Sequence, residues 1–253
     1  MQNRSPLKFF LLSFLLAIPC WGLGAATHIQ LMPRLPIAAL AAFCPAIAAL
    51  ILVYAEGGTA GVHQLLARTF DYRLSVHNAA WLAPIVLLMP GAMSLSYGLM
   101  RLNGVSIPPP QFSFQAVALL SLAFFCAALG EELGWSGYAI DPMQARWGAL
   151  RASIVVGVVW AVYHFVALTQ ADRSAIWIAW WSLGTVAVRV IMVWLYNNTG
   201  RSVFAAALFH TTVNVTWQLF PVRGSYYDPR ITSLLLLLIA AIIVAISRWS
   251  RKT

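Results

Sequence analysis

Eight runs of roughly 20 predominantly apolar residues leave this chain few folds to choose from; they lie at 7–26, 36–55, 79–100, 113–132, 152–170, 175–196, 201–220 and 231–249. Hydrocarbon offers the backbone no water to bond with, so only helices or closed barrels can cross it, and runs of this length suit helices. Composition agrees: 61% of the residues are hydrophobic and 9% charged, where a soluble domain carries about 25% charged residues. The expected fold is an all-α integral membrane protein, one polytopic domain over 1–253, with about eight transmembrane helices around a polar cavity. A net charge of +9 would suggest nucleic acid in a soluble protein. Here the arginines are read as loop residues facing anionic lipid, so the partner is membrane lipid and not nucleic acid.

The connecting stretches add little. Segment 56–78 is too polar to span, and its Leu65, Leu66, Phe70 and Leu74 beside Arg68 and Arg73 fit either an interfacial helix or an ordinary loop. Met143, Trp147 and Leu150 recur at helical spacing, which predicts a short surface helix over 139–151. Gly24-Ala25-Ala26 after the first run would also suit a cleaved signal peptide, but the run is long and the rest of the chain is polytopic. With the N-terminus inside, basic residues fall mainly on the cytoplasmic side, which places both termini there, in a bacterial cytoplasmic membrane. Cys20, Cys44 and Cys126 lie within apolar runs and read as small buried hydrophobes. His28, His63 and His77 are assigned to loops, and Trp135, Trp147, Trp177, Trp180, Trp181 and Trp194 to interfacial belts and helix packing.

One run ends unlike the others. Phe114 to Leu129 leads into Gly130-Glu131-Glu132, two adjacent carboxylates inside a membrane segment. Each costs about 2.5–3.5 kcal/mol at a helix centre, so partners must compensate them, and such a residue marks a functional site by default. Three other spans offer partners. His164 ends the series Trp160-x-x-x-His164, and His210 and Asn214 share one helix face four residues apart. Arg189 lies midway along 175–196. Because polar groups in lipid must satisfy each other, the simplest arrangement brings Glu131, His164, His210 and Asn214 into one internal cavity.

Two chemistries suit that set. A carboxylate and an imidazole sharing a water form a general-base pair, with an imidazole N–H and an amide as oxyanion donors. Alternatively Glu131, His164 and His210 would ligate a catalytic zinc with one position left for water. Both end in amide hydrolysis. They differ in whether a metal is needed: no cofactor is assigned, and zinc stays open.

The three motifs, Glu131-Glu132 with position 136, Trp160-x-x-x-His164 and His210-x-x-x-Asn214, resemble those of the CAAX-processing and bacteriocin-immunity (CPBP or Abi) intramembrane proteases. The resemblance covers roughly 113–220, taken as the catalytic core. It implies an eight-helix bundle around a conical cavity open to lipid and cytosol, and an endopeptidase cutting membrane-proximal peptides. In eukaryotes such substrates include the last three residues of prenylated CAAX proteins. By motif position Glu131 would activate the water, His164 assist it, and His210 and Asn214 hold the oxyanion. The family has been classed both as metal-dependent and as glutamate proteases.

The family motif carries Arg where this chain has Ser136. Glu132 therefore needs another cation, and Arg189 is the candidate, unless it snorkels or caps a helix end. The missing Arg also allows a catalytically degenerate member acting as a membrane binding, immunity or scaffold protein. Transport is a third class, but the repeated halves and interrupted helices of transporters are not evident in the sequence.

Overall fold

The computed structural model describes residues 4–69 and 79–247. Helix α1 (Pro6–Thr27) starts on a Ser5 cap with proline in its first turn and ends on a left-handed His28. A short hairpin, β1 (Gln30–Met32) and β2 (Leu35–Pro36), returns the chain through a 3₁₀ segment, Ile37–Phe43, into α2 (Cys44–Thr69). Then come α3 (Leu82–Leu102) and α4 (Phe114–Gly134), the latter capped by Ser113. A π-helical turn, Trp135–Ala139, joins α4 to α5 (Ile140–Trp147). The chain continues as α6 (Ala149–Tyr163), α7 (Phe165–Gln170), α8 (Ala175–Asn198), α9 (Val203–Leu219) and α10 (Pro229–Ile246).

The chain is an all-α membrane bundle. Seven helical stretches among the described residues are long and apolar enough to cross a membrane. The eighth expected span, 201–220, is α9, which has 17 residues and reaches about 25 Å. It carries His210, Thr211, Thr212, Asn214, Thr216 and Gln218, a polarity that lipid would penalise. The bundle shelters it: α9 packs against α4, α3 and α8. Lipid instead meets residues such as Leu7, Leu11, Leu15 and Ile18, each more than half exposed along one face of α1.

Locally the structure refines the expectations. Of the two alternatives for this stretch, residues 59–69 are helical, running on from α2 beyond a break at Gly58, whose φ of 59° and ψ of −153° suit glycine. That limb carries His63, buries Leu65 completely and brings Arg68 to Asp141 at 3.1 Å. Phe70, Arg73, Leu74 and His77 lie outside the described residues. Among the cysteines only Cys44 is buried, and Cys126 lies on an exposed face. The surface helix expected over 139–151 is α5, with Met143 buried and Trp147 exposed, and Gly148 at φ 76° turns the chain into α6.

Candidate active site

Glu131 and Glu132 occupy the last turn of α4, just before the π-helical turn, a distortion that recurs at functional sites. Two glycines let neighbouring segments press against this turn. A Cβ on Gly130 would lie 2.9 Å from the Ala42 carbonyl oxygen, and one on Gly134 2.7 Å from that of Pro45. The chain entering α2 therefore seals the carboxylates from one side, and both are buried.

Each acid has its own surroundings. Glu132 accepts from Arg189 through both terminal nitrogens, at 2.8 and 3.0 Å, a bidentate pair of the strong, charge-assisted kind. Ser136 donates to the same carboxylate one helical turn on, and His210 Nδ1 lies 3.0 Å from it. A carboxylate only accepts, so His210 carries its proton on Nδ1 and turns Nε2 the other way. Glu132 is thus saturated, and Arg189 supplies the positive charge that the motif position now held by Ser136 lacks.

Glu131 is less committed. One oxygen accepts from the Trp160 indole N–H at 2.5 Å. The other, Oε1, lies 3.8 Å from His164 Nε2 and 3.9 Å from His210 Nε2. Both separations are too long for direct hydrogen bonds and suit groups that share a water or a substrate atom.

A break in the helix sets the His164 ring. α6 ends at Tyr163, and His164 sits at φ −88°, ψ −9°, in the bridge region where many active-site residues are found. Its backbone N–H bonds to Ala161 and not to Trp160, so the Trp160 carbonyl is free to accept from His164 Nδ1 at 2.8 Å. That bond fixes the tautomer and presents the Nε2 lone pair to Glu131. Trp160 also stacks under the Arg189 guanidinium at 4.2 Å and edge-on to His210 at 5.0 Å. It thereby touches both carboxylate systems, which its place in the Trp160-x-x-x-His164 motif did not reveal.

These groups line one wall of a cavity of about 350 Å³ that is otherwise mainly apolar. Glu131, Trp160, His164, His210 and Asn214 all reach it. Asn214 is half-buried and its side chain forms no hydrogen bond among the described residues, so its amide is uncommitted. Trp181, read from sequence as packing or belt, also lines the cavity, with its ring centroid 5.5 Å from that of His164. Exposed Leu40 and Phe43 border its flank, and Leu31 and Arg34 its hairpin end.

The zinc alternative fits less well. Among the described residues no three His, Cys, Asp or Glu side chains are arranged to hold a metal ion. The Trp160 bond leaves Glu131 only Oε1 to offer, and Glu132 is saturated.

A membrane bundle that brings acid, imidazole and amide groups to one wall of an apolar cavity fits the class of intramembrane proteases. Comparison with known proteins narrows it. Residues 113–216 match the family model of "Type II CAAX prenyl endopeptidase Rce1-like". Over 95% of its length the chain is 28% identical to the CAAX prenyl protease 2 of Methanococcus maripaludis, covering 93% of that protein. Both findings support an intramembrane protease similar to the Rce1-like CAAX prenyl endopeptidases.

Proposed function

We propose that the chain is an endopeptidase that hydrolyses a peptide bond near the C-terminus of membrane-proximal substrates, of the CAAX type that its relative's name describes. One observation carries the proposal. Glu131, His164, His210 and Asn214, drawn from three separate segments, share the polar wall of one apolar cavity.

In the proposed reaction a water is held between Glu131 Oε1 and the His164 Nε2 lone pair. Glu131 takes its proton as the water oxygen bonds to the scissile carbonyl carbon. Negative charge on the carbonyl oxygen is met by the Asn214 amide and by His210 Nε2–H. Because His210 Nδ1–H is given to Glu132, only the doubly protonated ring can offer Nε2–H as well. The charges then balance: two carboxylates against Arg189 and one imidazolium. When the tetrahedral intermediate collapses, the C–N bond breaks and Glu131 returns the proton to the leaving amine.

The degenerate-binder reading drew on Ser136, and Arg189 now provides the cation whose loss it invoked. For insertion the proposal keeps both termini cytoplasmic. The cavity opens toward lipid at the flank of Leu40 and Phe43. The test is to incubate detergent-purified protein with peptide libraries, with and without chelator, and to map products by mass spectrometry. A defined internal cut that persists in chelator is expected. Loss of cleavage on chelation, restored by added zinc, would replace the scheme with a metal-dependent one.

A further inference from the structure

The π-helical turn that follows the carboxylate pair leaves one carbonyl in need of a partner. Within the turn the Ile140 N–H bonds five residues back, to the Trp135 carbonyl. At Gly137 the same pattern calls for an N–H at position 142, which is proline and has none. The Gly137 carbonyl accepts instead from two side chains remote in sequence, Arg4 Nη1 at 2.9 Å and Arg68 Nη1 at 3.3 Å. Together they can fill both lone pairs of that oxygen with charge-assisted bonds.

Both arginines are themselves held in place. Arg68 donates through Nη2 to Asp141 at 3.1 Å and to the Tyr196 hydroxyl, and Tyr196 in turn donates to Asp141 at 3.1 Å. Arg4 lies 5.1 Å over the Tyr138 ring. Phe9, completely buried on α1, sets its ring 5.2 Å from that of Trp135, and Leu65 stands 2.9 Å from where a Cβ on Gly137 would be. The start of α1, the far limb of α2 and the end of α8 thus grip this turn and the first residues of α5. Arg4, Arg68, Asp141 and Tyr196 do not line the cavity, so they can reach the chemistry only through the turn. Glu131 and Glu132 sit directly before it, and Glu131 Oε1 lies 3.8 and 3.9 Å from the two imidazoles, separations sized for one shared water. We propose that Arg4 and Arg68 are positioning residues for the hydrolysis: by bonding the Gly137 carbonyl they fix the π-helical turn, and with it the direction in which Glu131 faces His164 and His210. This rests on the endopeptidase reading above.

The experiment measures kcat and KM on one cleaved peptide, using the purified full chain. Arg68→Gln is expected to lower kcat about 10- to 100-fold with KM little changed, the scale of a misplacement of about 1 Å. Asp141 would keep Tyr196 and, at 3.8 Å, Arg201. Arg68→Lys, which retains a charged donor, should regain part of the loss. Arg4→Gln should fall in the same direction but less, because Arg68 still bonds the carbonyl, and it tests the idea even if Arg68→Gln fails to fold. Each substitution is then combined with Glu131→Gln. A residue that acts through Glu131 has little left to position once that carboxylate is gone, so the residual kcat of Glu131→Gln should hardly change. If each arginine substitution keeps its full factor in the Glu131→Gln background, the arginines do not act through Glu131 and the proposal is overturned. Wild-type kcat in either folded single variant would overturn it too, leaving the protease intact. Equal cleavage by the wild type and Glu131→Gln would instead remove the catalytic reading, and the positioning role with it.

Discussion

Glu131→Gln is expected to lower kcat by about 10²- to 10⁴-fold, the usual contribution of a positioned general base, while the protein still folds. Glutamine keeps the shape of the side chain and an oxygen to accept the Trp160 indole N–H, so the packing around this buried position survives. It cannot take a proton from water. The loss should appear in kcat, because Glu131 is proposed to act on the water and not on the binding of the peptide. His164→Ala should fall in the same direction but less steeply, since His164 orients the water without receiving its proton. Purified variants with unchanged melting temperatures, assayed on one peptide, provide the measurement. A Glu131→Gln enzyme retaining more than about a tenth of wild-type kcat would fall outside the range for a lost base.

Arg189→Met is expected to be the most destabilising single change in the bundle. Arg189 and Glu132 are essentially unexposed, and removing one member of a buried pair costs about 3–5 kcal/mol because the other charge is left uncompensated. Glu132 would keep Ser136 and His210 as donors but lose its cation. A second change makes this specific. Ser136 already lies within hydrogen-bond reach of Glu132, so Ser136→Arg in the Arg189→Met background puts a guanidinium back beside the same carboxylate, from one helical turn away. The double variant should recover much of the melting temperature and the activity. If Arg189→Met folds and cleaves like the wild type while Glu132→Ala does neither, the pair is not what supports the site.

Much of this arrangement was legible in the chain because lipid makes polarity rare. The apolar runs mark the helices, and a carboxylate pair at the end of one run stands out as no surface pair could. Arg189 was legible for the same reason: a cation midway along an apolar run has few ways to be satisfied, and Glu132 lacked a partner. Other features left no comparable trace. The break at His164 lies inside the apolar run 152–170, where no Pro or Gly adjoins it. The join of 56–69 to α2 was hidden because polarity was read as a sign of the surface. There Arg68 is in fact satisfied by Asp141, Tyr196 and the Gly137 carbonyl inside the fold. Trp160 and Trp181 were indistinguishable from the other tryptophans, since an apolar ring with one N–H suits a belt, a core or an active site equally.

The kinetics of Glu131→Gln, His164→Ala and the double variant bear most directly on whether these side chains handle one water. Residues acting as a unit are strongly non-additive: once the unit is disabled, a second deletion removes little more. The double variant is therefore predicted to cleave about as slowly as Glu131→Gln alone. Losses that multiply, each substitution adding its full factor to the other, would show two groups working independently and contradict the shared water.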